Sequence, residues 1–183
     1  DEAQRYVCCG GCVRSWMNGK TKVFLPAPDS DVIFLFTHIL KHFYQGGVGL
    51  RQICDLCRFL RTYHGQIDKY LLGKRLRAMR ILPEWESFGA YMVDFLGLPV
   101  DAMPFYSPDK KWSRKAKAIN SFVMEVGNFG HHRVNRNTGQ SFFINKFIAL
   151  SRRTKDSFRH FFIFPINSIK AWWVVLVTGF KPI

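Results

Sequence analysis

The sequence predicts a mainly α fold, a bundle of about seven to eight helices with little or no sheet. Three observations predict it. Apolar residues recur at three- and four-residue spacing along most of the chain. Sustained period-two alternation is almost absent. Capping residues, Pro and Gly punctuate the apolar runs at helical lengths. The 183 residues, 48 % of them apolar, exclude a disordered chain and suffice for a hydrophobic core. Residues 1–30 are expected to be a lead-in or the edge of a preceding domain. Residues 31–183 are expected to form the helical domain, with a basic C-terminal part over 101–183.

Taken in order, residues 1–30 read as a short helix or irregular lead-in with one candidate strand, Thr21–Leu25, ended by Pro26-Ala27-Pro28. Asp29 and Ser30 suit the N-cap of a helix from Asp31 to about Tyr44. A second helix spans Leu50 to about His64. Asp68 caps a third that runs to about Arg80. Pro83 opens a fourth, which Gly97 and Pro99 stop after Leu96. Asp109 caps a fifth over Lys110–Val126. A polar loop follows over Gly127–Gln140, then a helix from Ser141 to about Arg153. Two more, Asp156–Phe164 and Ser168–Val177, flank Pro165.

Two polar constellations are candidates for function. His38 and His42 are four apart in an apolar helix, as are Arg51 and Asp55 in the next, and Gly46–Gly49 lets the chain reverse between them. In a hairpin closing near Gly47, His42 comes level with Gln52 and His38 with Leu56, so four polar groups are expected on one side of the unit. The alternative is a same-helix Arg51–Asp55 pair, or Asp55 with Arg58, with His38 a buried histidine donating to Asp55 or to a backbone carbonyl. The second constellation is the loop holding Asn128, His131, His132, Arg133 and Arg136. Its glycines permit close backbone approach, and its arginines suit phosphate. A solvated interhelical loop is the alternative.

Charge is uneven. Residues 1–100 carry 13 basic and 9 acidic side chains, whereas 101–183 carry 14 and 4. The C-terminal part should therefore present a positive face, with weak polyanion binding or contact with an anionic membrane surface as candidate consequences. No run reaches the roughly 18 apolar residues of a membrane span, and the expected location is cytoplasmic. Cys9 with Cys12 and Cys54 with Cys57 have zinc-ligand spacing, but the second pair lies in an apolar helical pattern where small hydrophobes explain it. The reading assigns no metal.

The order H-x3-H, then G-x-G-L-R-x3-D, then G-N-F-G resembles the C-terminal half of a bacterial, Bacteroidetes-type family of uncharacterised nucleotidyltransferases of polymerase-beta type. The matching residues are His38, His42, Gly47, Gly49, Leu50, Arg51, Asp55, Gly127, Asn128, Phe129 and Gly130. The resemblance covers roughly Lys22 to the C-terminus. It implies Mg²⁺-dependent transfer of a nucleoside monophosphate to an unknown acceptor, with His38, His42, Arg51, Asp55, Asn128, His131, Arg133 and Arg136 binding substrate or bracing its site. That chemistry needs a Gly-Ser turn and a D-x-D pair, whose carboxylates hold two Mg²⁺ ions. The chain has no Gly-Ser dipeptide, and its one D-x-D, Asp29-Ser30-Asp31, opens a helix. The chain is therefore expected to be a helical C-terminal portion, inactive by itself and needing no cofactor. A preceding catalytic domain would supply the carboxylates and the Mg²⁺. A non-catalytic basic module that binds nucleic acid or a membrane surface is the alternative.

Overall fold

Among the described residues helices dominate, as the periodicity predicts, and the one sheet is a two-stranded hairpin. The computed structural model describes residues 14–45, 47–126, 154 and 158–179 of the chain, the last six as backbone alone. The expected helix over Ser141–Arg153 lies outside these residues. Strand β1 (Arg14–Asn18) pairs antiparallel with β2 (Thr21–Leu25), Trp16 standing opposite Val23. Residues 14–25 of the expected lead-in thus form a hairpin, of which only the second strand was expected, and residues 1–13 lie outside the described residues. Asn18-Gly19 is a strong hairpin signal, and Gly19 takes the positive φ of +60° that the two-residue turn requires.

Helix α1 (Pro28–Gln45) starts earlier than expected, because Pro28 suits a first helical position. The Ala27 carbonyl accepts from the Ser30 and Asp31 amides at 2.9 and 3.0 Å, so Ala27 starts the helix and Asp29 and Ser30 do not cap it. Gly47, at φ +104°, donates its amide to the His42 carbonyl at 2.9 Å and closes the helix end. Helix α2 (Leu50–Tyr63) follows, its Gln52 side chain reaching back to the Gly49 amide at 3.3 Å. Asp68 caps α3 (Lys69–Ala78) as expected, accepting from the Leu71 amide at 3.0 Å. Helix α4 (Leu82–Leu96) ends at Gly97 in the left-handed conformation. Asp109 accepts from the Lys111 amide at 2.7 Å and opens α5 (Lys110–Val126). Residues 158–163 are helical, and Pro165 begins α6 (Pro165–Gly179). No described helix is long and apolar enough to cross a membrane.

Helix α4 is the axis of the packing. Trp85, Phe88, Ala90, Tyr91 and Met92 are all buried, so it has almost no solvent face. An unbroken apolar surface of this kind must be covered all round. Phe36 and Phe43 of α1, Ile53, Leu56 and Leu60 of α2, and Ala116, Ile119 and Phe122 of α5 contribute to one continuous core with it. The Phe43 ring meets Phe88, Phe122 and His160 at centroid distances of 5.3, 5.0 and 4.4 Å, joining α1, α4, α5 and the C-terminal segment. Edge-to-face pairs of this kind are worth about 0.5–1.5 kcal/mol each beyond burial. Phe43→Ala should therefore cost about 3–5 kcal/mol in denaturant unfolding, whereas truncating exposed Phe34 should cost well under 1 kcal/mol.

Candidate functional site

The apolar stripe of each helix decides where the polar residues point. In α1, Val32, Phe36, Ile39, Leu40 and Phe43 face the core, which leaves His38 exposed and His42 half-buried beside it. The two imidazoles meet, Nε2 to Nε2 at 3.0 Å, so one ring donates and the other accepts. Phe34 stacks on the other side of His38. Helix α2 buries Ile53, Leu56 and Leu60, which turns Arg51 and Asp55 to solvent. No hydrogen bond or ion pair joins Arg51 to Asp55, nor His38 to Asp55. The expected meeting of four polar groups therefore reduces to the histidine pair. Matching levels along a hairpin ignored rotation about each helix axis, and core burial fixes that rotation.

Desolvation, then the neighbouring charges of His38 and Lys41, lower the pKa of His42 from its ordinary 6.5. A histidine whose folded pKa is depressed is protonated more readily when unfolded. Its contribution to stability is therefore full above about pH 7.5 and is lost as pH falls through 6.5 towards the folded value.

Asp29 and Asp31 are already engaged. Asp29 accepts the Asp68 amide at 2.7 Å, and its carbonyl accepts from Arg75 at 3.0 Å. Asp31 pairs with Arg14, whose guanidinium also lies 4.6 Å from the Tyr63 ring centroid. Burial raises the pKa of Asp31, with Arg14 opposing the rise. These carboxylates fasten the start of α1 to α3 and to the hairpin, which corrects the expectation that they cap their own helix. They do not fit the paired metal ions of nucleotidyl transfer. Among the described residues no three His, Cys, Asp or Glu side chains gather as a metal site. Burial first, and then Cys54, push the Cys57 thiol up to about 12, which suits a packing role. Cys9, Cys12, Asn128, His131, Arg133 and Arg136 lie outside the described residues.

Sequence reasoning missed a cleft lined by several charged side chains. It opens between α3, α4, α5 and α6 with a volume of about 500 Å³, within the range of small-molecule sites. Arg77, Arg80, Lys111 and Lys115 line it, with Glu84 and Asn167. Glu84 is only 2 % exposed. Its Oε1 accepts from Tyr44 Oη at 3.1 Å and from Asn167 Nδ2 at 2.6 Å. Its Oε2 is buried with no hydrogen-bond partner. Desolvation and then Lys111 lower the pKa of Lys115, which Glu84 and Glu86 oppose. Arg80 sits at φ +58°, a left-handed conformation that usually falls to glycine, and its carbonyl accepts from Asn167 at 3.1 Å. The one local signal was an arginine directly after α3 where a C-terminal glycine would be expected.

Three outcomes are expected. Unfolding free energy should rise from pH 5 to pH 7.5, and His42→Gln should flatten that slope; an unchanged slope would reject the assignment to His42. His38→Ala and Asp55→Ala should be additive within about 0.5 kcal/mol in a double-mutant cycle. Arg80→Gly should raise stability by about 0.5–1 kcal/mol by relieving the left-handed arginine.

Residues 13–97 match the model of a family described as an uncharacterised nucleotidyltransferase. No curated protein and no solved structure matches the chain. The matched segment contains the hairpin, α1 to α4, the histidine pair, and Arg77, Arg80 and Glu84 of the cleft. Over residues 13–97, somewhat under half of its length, this chain is similar to that uncharacterised nucleotidyltransferase family.

Proposed function

We propose that the chain is the helical, substrate-holding portion of a nucleotidyltransferase-like protein, binding nucleotide or acceptor for catalytic carboxylates that it does not itself contribute. The observation that carries this reading is the cleft. Four cationic side chains from α3, α5 and the turn after α3 surround one cavity at the edge of the family-matched segment. Clustered cations in a partly dry cleft repel one another, and a phosphate relieves that repulsion while gaining charge-assisted hydrogen bonds. His38 and His42 on the exposed face of α1, and separately Arg51 and Asp55 on the solvent face of α2, are proposed to brace or contact the acceptor. Asn128, His131, Arg133 and Arg136 are proposed to bind substrate or brace its site, with the two arginines meeting phosphate. Mg²⁺ belongs to the complete transfer reaction, and no step through it is assigned to these residues.

One observation favours a second reading, a basic module on an anionic membrane surface. Phe158, Phe162, Ile166, Ile169 and Trp173 are exposed on neighbouring turns of the C-terminal helices, with Lys170 among them. Amphipathic aromatic and basic faces of this type sit at lipid headgroups.

Titration with ATP and with labelled RNA at two salt concentrations separates the readings. The cleft reading expects one saturable ATP site that Lys111→Ala weakens at least about tenfold, the worth of one charge-assisted hydrogen bond. Lys20→Ala and Lys22→Ala, on the hairpin, should leave it unchanged. Arg133→Ala with Arg136→Ala tests the loop's share. Equal losses from every basic substitution, with steep salt dependence, would leave only a diffuse polyanion surface. Binding to anionic vesicles that Trp173→Ala abolishes, without ATP binding, would select the membrane reading.

A further inference from the structure

The cleft's contents narrow its ligand further than charge alone does. Three features converge there. Arg77, Arg80, Lys111 and Lys115 supply positive charge from two walls. The first turn of α6, at Pro165, Ile166 and Asn167, forms part of the lining. Pro165 has no amide proton, so the donors of this turn without an acceptor in their own helix are the Ile166 and Asn167 amides, and the helix dipole favours an anion there. The third feature is of opposite character. Glu84 is almost fully buried, and its Oε2 has no hydrogen-bond partner although Oε1 accepts two bonds.

A buried carboxylate oxygen without a donor is costly, of order 1–3 kcal/mol or more. It is also an acceptor only, so an anion without a hydroxyl cannot satisfy it. The ligand must therefore bring a hydrogen-bond donor as well as a negative group. Tyr44 and Asn167 both donate to Oε1, which orients the carboxylate and leaves Oε2 as the oxygen without a donor. Inorganic phosphate answers the cations, but its P–OH lies on the same group that they hold, and it brings no donor set apart from that group. A phosphate ester of a polyhydroxylated compound answers both.

We propose, on the strength of the cleft reading above, that this site takes a phosphomonoester carrying free hydroxyl groups. Its phosphate lies among Arg77, Arg80, Lys111 and Lys115 at the N-terminus of α6, and one hydroxyl donates to Glu84 Oε2. A sugar phosphate and a nucleoside monophosphate share this chemistry. Arg80 contributes to the site at the cost of a strained backbone, and Lys115 contributes an ammonium that Lys111 already crowds. An incoming phosphate offsets that crowding.

The test titrates the full chain with four probes by calorimetry: ribose 5-phosphate, adenosine 5′-monophosphate, ethyl phosphate and inorganic phosphate. Wild type should bind ribose 5-phosphate at least about tenfold more tightly than ethyl phosphate, the worth of a hydrogen bond to a charged acceptor. In Glu84→Gln, the amide oxygen stays on Tyr44 and Asn167, and the amide nitrogen replaces Oε2 with a donor. That variant should lose the hydroxyl preference and keep ethyl phosphate affinity. Arg80→Gly should weaken all four probes while raising thermal stability. Equal affinity of ribose 5-phosphate and adenosine 5′-monophosphate assigns the site to the sugar phosphate itself; tighter binding of the latter assigns it to a nucleotide. Both outcomes keep the proposal. Equal binding of ribose 5-phosphate and ethyl phosphate to wild type overturns it, and this comparison needs no variant to fold. ATP binding without any phosphomonoester binding overturns this inference alone, whereas loss of ATP binding as well removes the reading beneath it.

Discussion

The Phe43 ring is where this chain is fastened. It sits at 0 % exposure on the inner face of α1 and touches aromatic side chains from α4, α5 and the segment before Pro165. Each of those segments brings something to the cleft: Glu84 from α4, Lys111 and Lys115 from α5, and Asn167 from just beyond Phe164. Tyr44, the next residue, reaches Glu84 through its hydroxyl. One turn of α1 thus sets both the apolar junction and the polar floor beside it. Aromatic cores resist small displacements because they are packed to crystal-like density. Positions fixed at Phe43 are therefore inherited by side chains several residues away.

Electrostatics then works on that fixed frame. A carboxylate would ordinarily be excluded from such a core. Glu84 is kept there by two donors on one oxygen and by nearby ammonium groups on α5. The cations gain from the same arrangement, since Glu84 and Glu86 offset part of the repulsion between Lys111 and Lys115. Glu86 shows the reverse balance: burial raises its pKa, while Lys111, Arg77 and Lys115 oppose the rise. The face is positive in sum, yet it is built from alternating signs. A uniformly basic surface would have neither the orientation nor the desolvation that a specific ligand needs.

Much of the helical frame was legible in the sequence, because its boundaries are local chemistry. Asp68, Pro83, Gly97 and Asp109 mark helix ends through their own backbone and side chains, and all four read correctly. Helix α1 read less well because Asp29 and Ser30 looked like caps, while Pro28 had already opened the helix. Strand β1 escaped because Trp16 and Met17 are both exposed, so no inward and outward alternation advertises a strand. The histidine pair was legible from its spacing, and the supposed partnership with Asp55 was not, since rotation about α1 and α2 depends on what each helix buries. The cleft was illegible for a different reason. Arg77, Lys111 and Asn167 are dozens of residues apart, and only the tertiary packing around α4 brings them to one cavity.

The indole of Trp112 lies under this site, with the Lys111 and Lys115 ammonium groups 4.3 and 5.5 Å from its centroid. A cation over an aromatic face perturbs the ring's electron density and is held there by roughly 0.5–2 kcal/mol. Any occupant that draws those two lysines aside also withdraws charge from the indole. The chain therefore carries an optical gauge of its own cleft, since the emission of a nearly buried tryptophan responds to such a change. Trp85 is shielded by its bond to the Pro104 carbonyl and remains a constant background, while Trp16, Trp172 and Trp173 are exposed and yield to a soluble quencher. With the outer indoles quenched, the remaining light would follow Trp112 against that fixed signal.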